Sequence, residues 1–311
     1  MYWGSVRFFK HLIFLALAII LLVPVCLAFY HMSLNARLTE ELITLKAEII
    51  ADRIQLQQNQ TESMGLSLLQ NSEGKESTYN FDLEYQNLYP DLCISDIPEQ
   101  SGSTDTVYLT FDDGPTTLTR KILDVLKEKE VRATFFIIGK NLETEQGKQI
   151  LKNIVEEGHS VGIHTYSHVY NDIYNSVEDY LDDFYKAYDL VYSITGTKPE
   201  IFRFPGGSIN GYNKTFYKEL IAEMTRRGFV YYDWNVSAQD AVGKITEKEI
   251  YNNIVNASKK KTRSIILMHD SLEKKGTLKA LPAIIDELSA SGYHFEILTR
   301  NVAPVIFGYS D

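Results

Sequence analysis

From Asp105 onward, short apolar runs alternate with amphipathic stretches of about a dozen residues. The runs TVYLTF, RATFFII, SVGI, EIFRF, FVYYDW, SIILM and YHFEIL have the length and the β-branched and aromatic bias of strands. Between them lie RKILDVLKEKE, GKQILKNIVEEG, VEDYLDDFYKAYDLVYSITG, KTFYKELIAEMTRRG, TEKEIYNNIVNAS and TLKALPAIIDELSASG, each with a helical apolar face. Gly158 stands where a helix would end, and Thr246 with Glu249 reads as a capping box. Strict alternation of this kind predicts a parallel α/β architecture, because parallel neighbours need a crossover and a helix supplies it. Seven strands and six helices suit a closed or nearly closed barrel, with an open doubly wound sheet as the alternative.

That architecture decides where chemistry can sit. In parallel barrels it gathers at the C-terminal ends of the strands. Asp112 and Asp113 follow the first run, His164 and His168 the third, and Arg203 and Pro205 end the fourth. Asp233 to Asp240 follow the fifth, and His269 and Asp270 the sixth. Clusters far apart in sequence would therefore meet on one rim.

The adjacent carboxylates in VYLTFDDGPTT could be turn formers, since Asp, Gly and Pro all favour turns. They could instead divide labour, one neutralised by a metal and the other left as a base. His164 and His168 are four apart, and on a helical turn that spacing places both imidazoles on one side. Two histidines and one carboxylate leave coordination positions open, as in catalytic zinc sites. His269 can supply an acid for a leaving group, with Asp240 as the carboxylate that keeps it charged. Arg203 cannot lose its proton, so a carboxylate on the same rim is its natural partner.

TFDDGP, HTYSH, RFPGG, NVSAQDA and IILMHD occur in the order of five motifs that the chain shares in resemblance with the polysaccharide deacetylases, the carbohydrate esterases with a NodB-type domain. The resemblance spans roughly Asp105 to Val302. It implies a distorted (β/α)7 barrel and metal-dependent removal of acetyl groups from N-acetylated sugars. By that resemblance Asp112 is the expected catalytic base, and Asp113, His164 and His168 the metal ligands. His269 is the expected acid, Asp240 its partner, and Arg203 the residue that orients the base. Leu267 would belong to the pocket for the acetyl methyl group. The expected cofactor is one divalent ion, zinc foremost, with cobalt, nickel or manganese as alternatives. Two motifs depart from the pattern. An aromatic usually follows the proline of the third; here Gly206 follows Pro205, keeping a backbone N–H for an oxyanion but losing a wall of the groove. In the fourth, Ser237 and Ala241 replace an Asp and an aromatic, and Trp234 is expected either to take the hydrophobic role or to sit in the core. His159 and His294 match no motif. Tyr170 and Tyr174 read as solvent-facing or core residues, with the sugar groove as the alternative.

Residues 1–11 read as a cytoplasmic N-terminus carrying Arg7 and Lys10, and 12–30 as a transmembrane helix, uncharged over 19 residues. A cleaved signal peptide is the rival reading. Residues 31–58 carry a short heptad pattern, a helical stalk able to form a weak homodimer. Residues 59–104 read as a linker, in which the less polar, Tyr-rich piece Tyr79–Leu92 is able to pack on the following domain; 105–304 read as the catalytic domain and 305–311 as a tail. The expectation is a single-pass cell-membrane protein with its catalytic domain extracellular and its partners the bilayer, through 12–30, and a glycan. A net charge of -10 argues against nucleic-acid binding. Cys26 and Cys93 are the only cysteines and are not expected to pair. The expected reaction is deacetylation of N-acetylated cell-wall glycan, with peptidoglycan N-acetylglucosamine as the foremost substrate. The alternatives are another acetylated polysaccharide (xylan, an exopolysaccharide or a chitooligosaccharide), or an inactive glycan-binding domain.

Overall fold

The computed structural model of the chain describes Ile13, residues 83–241 and residues 243–308. All seven expected runs contain strands: β1 (Thr106–Gly114), β2 (Thr134–Ile137), β3 (Ser160–Ile163), β4 (Ile201–Phe202), β5 (Val230–Tyr231), β7 (Arg263–His269) and β8 (His294–Phe295). A further strand, β6 (Val236–Ser237), lies within NVSAQDA. Every pairing is parallel, in the order β5-β4-β3-β2-β1-β7-β6, and β8 pairs with the start of β1. The end strands β5 and β6 are not paired with each other among the described residues. The sheet is thus a parallel half-barrel with a seam.

Among the described residues from 83 onward the helices are α1 (Thr117–Glu128), α2 (Glu145–Glu156), the single turn α3 (Tyr170–Ile173), α4 (Val177–Thr195), α5 (Tyr217–Arg226), α6 (Glu247–Ser258) and α7 (Lys275–Ala290). Their ends follow from the sequence. The Thr246 and Glu249 capping box is formed at α6, and Gly196 closes α4 in the left-handed conformation at φ 70°.

Period-two alternation along the strands separates two cores. Val107, Leu109 and Phe111 of β1 join the large core, together with the apolar faces of the helices. Tyr108 of β1 joins Phe136, Ile201, Val230, Tyr232, Ile265 and Leu298 in a second cluster on the other face. Continuing that alternation places Thr110 and Asp112 above Tyr108, and Leu267 and His269 above Ile265. The inner face of the sheet therefore carries polar groups at its C-terminal end and apolar ones below.

Residues 83–104 belong to the same unit, which spans Phe81–Asp311. Tyr85 and Leu92 are buried in the large core. The buried Arg227 guanidinium donates to the carbonyls of Tyr85, Leu88, Tyr89 and Leu92, while its Nε donates to Glu223 at 2.6 Å. The carbonyls of Tyr85 and Tyr89 also accept from the N–H groups of Leu88 and Leu92, so Arg227 adds to turns that the segment already forms.

The expected single-pass placement at the cell membrane is corrected. No helix among the described residues is long and apolar enough to cross a membrane. The longest of them, α4, carries Glu178, Asp179, Asp182, Asp183, Lys186 and Asp189 and is amphipathic. The expected span at 12–30, of which Ile13 alone is described, and the stalk with its homodimer at 31–58 otherwise lie outside the described residues. The exposed Cys93 is a free thiol.

Candidate active site

On a regular strand, Asp112 and Asp113 would point to opposite faces. The β1–β2 register shifts between Asp112 and Gly114, and Asp113 has φ 79°. Aspartate is among the few residues that tolerate this left-handed region. The irregularity brings both carboxylates to one place. Asp113 Oδ1 lies 3.5 Å from His168 Nε2 and 3.8 Å from His164 Nε2, and Asp112 Oδ2 lies 3.7 Å from His164 Nε2.

Residues 164–168 form a loop, not the expected helical turn. Thr165 and His168 have φ 65° and 58°, and these left-handed residues fold the segment back. The Asp183 carboxylate on α4 pins it by accepting from the N–H groups of Tyr166 and Ser167. The imidazole centroids end 5.0 Å apart. His164 Nδ1 lies 2.8 Å from the Arg203 carbonyl, which can only accept. The proton is thereby fixed on Nδ1 and the Nε2 lone pair is free. Burial first, then the neighbouring His168, holds His164 down to about 3, so this ring is neutral.

One ligand atom from each of Asp113, His164 and His168 can be chosen so that all lie within 4.8 Å of one another. Asp113 Oδ1 is buried and has no hydrogen-bond partner. A buried, unpartnered carboxylate oxygen facing two imidazole nitrogens is costly alone and suits a divalent cation.

Arg203 is fully buried over the Phe136 ring, 4.3 Å from its centroid. Its Nη1 donates to Asp112 Oδ1 at 2.9 Å and to Thr110 Oγ1 at 2.7 Å, and its Nε to the Tyr232 carbonyl at 2.8 Å. The stacked, fully bonded guanidinium cannot turn away, so Asp112 Oδ1 is held and Oδ2 faces His164. Burial pushes the Asp112 carboxyl up, and the Arg203 charge pulls against it.

His269 ends β7 opposite Asp112 in the β1–β7 register. Its Nδ1 lies 2.8 Å from Asp240 Oδ1. Asp240 Oδ2 accepts from the His269 N–H at 3.0 Å and from Thr277 Oγ1 at 2.7 Å. Burial opposes a charge on His269, but the bond to Asp240 and the charges of Asp240, Asp112 and Asp113 outweigh it and raise the ring to about 9. Burial likewise works against ionised Asp240, yet the bonds from His269 and Thr277 hold it below the usual range.

The other expected residues are spread around this centre. Leu267, 7% exposed, is two residues before His269 on β7. Pro205 is buried, and its carbonyl accepts from Tyr174 Oη at 2.8 Å. Gly206 is exposed at φ 76°, and its N–H makes no hydrogen bond among the described residues. Trp234 is half-buried, its ring in edge contact with Phe307 and 5.8 Å from Arg203 Cζ. Sequence reasoning gave no role to the supporting residues Thr110, Asp183 and Thr277, and placed Asp233 on the rim without one; Asp233 accepts from Ser208 N, Ser208 Oγ and Phe307 N. Thr110 opens TFDDGP without a role of its own there, and Asp183 and Thr277 lie in no motif, because their work depends on segments brought together from far apart in the chain. Asp270 is fully buried, with Thr119 Oγ1 2.5 Å from its Oδ2.

The chain is similar to known proteins over this region. The family described as polysaccharide deacetylase matches residues 99–225. YheN of Bacillus subtilis (strain 168), provisionally named a polysaccharide deacetylase, is 32% identical over 229 residues, covering 72% of this chain and 78% of that one. A peptidoglycan-N-acetylglucosamine deacetylase of Bacillus cereus is 33% identical over 195 residues, 61% of this chain and 67% of that one. Among solved structures, the catalytic domain of peptidoglycan N-acetylglucosamine deacetylase from Eubacterium rectale superposes with a TM-score of 0.64. It is 33% identical, and the match covers 70% of this chain and 98% of that one.

Proposed function

This chain belongs to the polysaccharide deacetylase family, hydrolases acting on acetylated glycans, and from that premise we propose that it removes acetyl groups from peptidoglycan N-acetylglucosamine with one bound divalent ion. The observation that carries the reading is a base and an acid on paired strands beside one cation-ready triad. Asp112 and His269 are direct neighbours across β1 and β7, and each is fixed by its own buried partner.

Asp113, His164 and His168 would hold the ion. Zinc suits two imidazoles and one carboxylate, and when bound it supplies Lewis-acid polarisation of the acetyl carbonyl and a more acidic water. Asp112 Oδ2 takes the proton of the water whose oxygen attacks the acetyl carbon. Arg203 keeps that carboxylate oriented and ionised through Oδ1. The Gly206 N–H, which has no acceptor among the described residues, would stabilise the oxyanion. As the C–N bond breaks, His269 Nε2 gives its proton to the departing nitrogen, leaving a primary amine on the sugar and free acetate. Asp240 compensates the charge on His269 beforehand. Leu267 offers an apolar contact for the acetyl methyl group. Trp234 contributes from behind Arg203, through packing.

The substrate assignment is supported by the Bacillus cereus and Eubacterium rectale proteins, both named for peptidoglycan N-acetylglucosamine. The test is acetate release by the purified chain from peptidoglycan glycan strands and from acetylated xylan, before and after chelation. Release from peptidoglycan that chelation abolishes and zinc restores is expected. Full activity after exhaustive chelation, or activity confined to xylan, overturns the proposal.

A further inference from the structure

Gly206 lacks the side chain that its motif usually carries, yet the space above it is filled. A Cβ at this position would lie 3.0 Å from Tyr170 Cε1 and 3.1 Å from Tyr170 Oη. The ring comes from the first residue of α3, two residues after His168, and contacts the His168 imidazole edge-on at 5.3 Å between centroids. Tyr170 in turn lies 4.9 Å from Tyr212, whose residue is 54% exposed. Behind Tyr170 stands the buried Tyr174, 5.9 Å away, tied to the Pro205 carbonyl. Aromatic residues thus lead from the core to an open face beside the metal-ready triad.

The loop that carries Tyr212 is braced. Asn210 Oδ1 accepts from the N–H groups of Tyr212 and Asn213, and Asn213 Oδ1 accepts from the Asn210 N–H. Asn210 Nδ2 reaches back to the carbonyls of Pro205 and Gly207. An exposed ring on a braced loop loses little conformational entropy when a ligand lands on it. Val169 and Leu272 are also exposed, on the loops after β3 and β7. A tyrosine offers an apolar face and a polar tip, which matches a sugar ring with its C–H face and hydroxyl rim.

We propose that Tyr170 and Tyr212 are specificity-determining residues that together rebuild the missing wall of the glycan groove. Tyr212 stacks on the sugar next to the one that reacts, and Tyr170 presents its hydroxyl to the reacting sugar. The ligand class, a β-linked N-acetylglucosamine oligomer, rests on the deacetylase reading; the wall itself rests on the geometry.

Binding of the N-acetylglucosamine dimer and tetramer to the metal-loaded full chain, carrying Asp112→Asn to stop turnover, tests this by calorimetry. Tyr212→Ala should weaken tetramer binding roughly tenfold, the effect of leaving one aromatic face uncovered, and reduce the advantage of tetramer over dimer. Tyr212→Phe keeps the face and should retain that advantage. Tyr170→Phe should weaken both oligomers a few-fold, about what one hydrogen bond gives. The wall is overturned if Tyr212→Ala binds the tetramer as tightly as its parent, if Tyr212→Phe binds as weakly as Tyr212→Ala, or if neither oligomer binds. If binding behaves as expected but the chain with Asp112 intact releases no acetate from the tetramer, the wall stands and the deacetylase reading fails.

Discussion

Replacing Asp240 by Asn should move the alkaline limit of activity while leaving the proposed metal triad of Asp113, His164 and His168 intact. His269 is raised from an ordinary 6.5 to about 9. That difference is worth roughly 3 kcal/mol of preference for the charged ring. Asparagine cannot reproduce it, and the hydrogen bonds show why. The Oδ2 side of Asp240 faces two donors, His269 N–H and Thr277 Oγ1. The amide must therefore place its oxygen there and turn its NH2 toward His269 Nδ1, which can then no longer carry a proton. The ring is left neutral, and the acid is lost at any pH where Asp112 is ionised. In kcat/KM against pH, measured by acetate release at saturating metal, the alkaline limb should fall from near 9 to below 6.5. The rate at neutral pH should drop by roughly 10²–10⁴, the usual contribution of general acid–base catalysis. A cation at the triad pulls His269 down in both proteins, so the separation between the two limbs is the quantity to read. An unchanged limb in Asp240→Asn refutes the dyad; equal loss of metal and activity refutes the separation of dyad from triad.

Three further outcomes follow from the geometry. His168→Ala should lower bound metal and activity together, whereas Asp112→Asn keeps the metal and loses only turnover; metal analysis beside the acetate assay separates them, and equal metal loss contradicts the assignment. Arg203→Met leaves the Asp112 carboxylate buried without its cation and should cost about 3–5 kcal/mol of stability, seen as a large fall in Tm; an unchanged Tm refutes it. Burial and the charges of Asp113 and Asp112 push the Asp270 carboxyl up to about 8 against the hydrogen bond from Thr119. Its pKa when folded lies above the ordinary 3.8, so its contribution is full at acid pH and is lost as pH rises through about 8. The fall in Tm between about pH 5 and about pH 9 should be shallower in Asp270→Asn, and an equal or steeper fall speaks against a neutral buried acid.

The strands most legible in the sequence were those covered on both faces. TVYLTF and SIILM are continuous apolar runs because β1 and β7 are buried throughout or nearly so. β6 escaped notice because it is two residues long and contributes a single apolar side chain, Val236, so it has no period to detect. The Tyr-rich piece Tyr79–Leu92 stands out from the linker composition around it as able to pack on the domain, and Tyr85 and Leu92 are buried there; what the composition does not reveal is Arg227, which gathers four carbonyls from this segment more than a hundred residues away. Arg227 lies in no pattern that a helix-face argument would single out.

At the site, residue type was legible and backbone conformation was not. The pairing of His164 with His168 was expected from a helical turn, but the chain brings the rings together with two left-handed residues and a distant carboxylate. Asp113 reaches the same place through a register shift and its own positive φ. Each such residue costs of order 1–3 kcal/mol and persists only where its surroundings over-determine it. Asp183 and the Arg203 carbonyl are such surroundings for the histidines, and Asn141 Nδ2, donating to the Asp113 carbonyl at 2.8 Å, is one for the carboxylate. Strain at three positions around a single point follows from a demand that no regular element meets. Strand geometry alone would place Asp112 and Asp113 back to back. The irregular backbone is what turns two adjacent carboxylates into groups with separate partners, one against Arg203 and the other against the histidines.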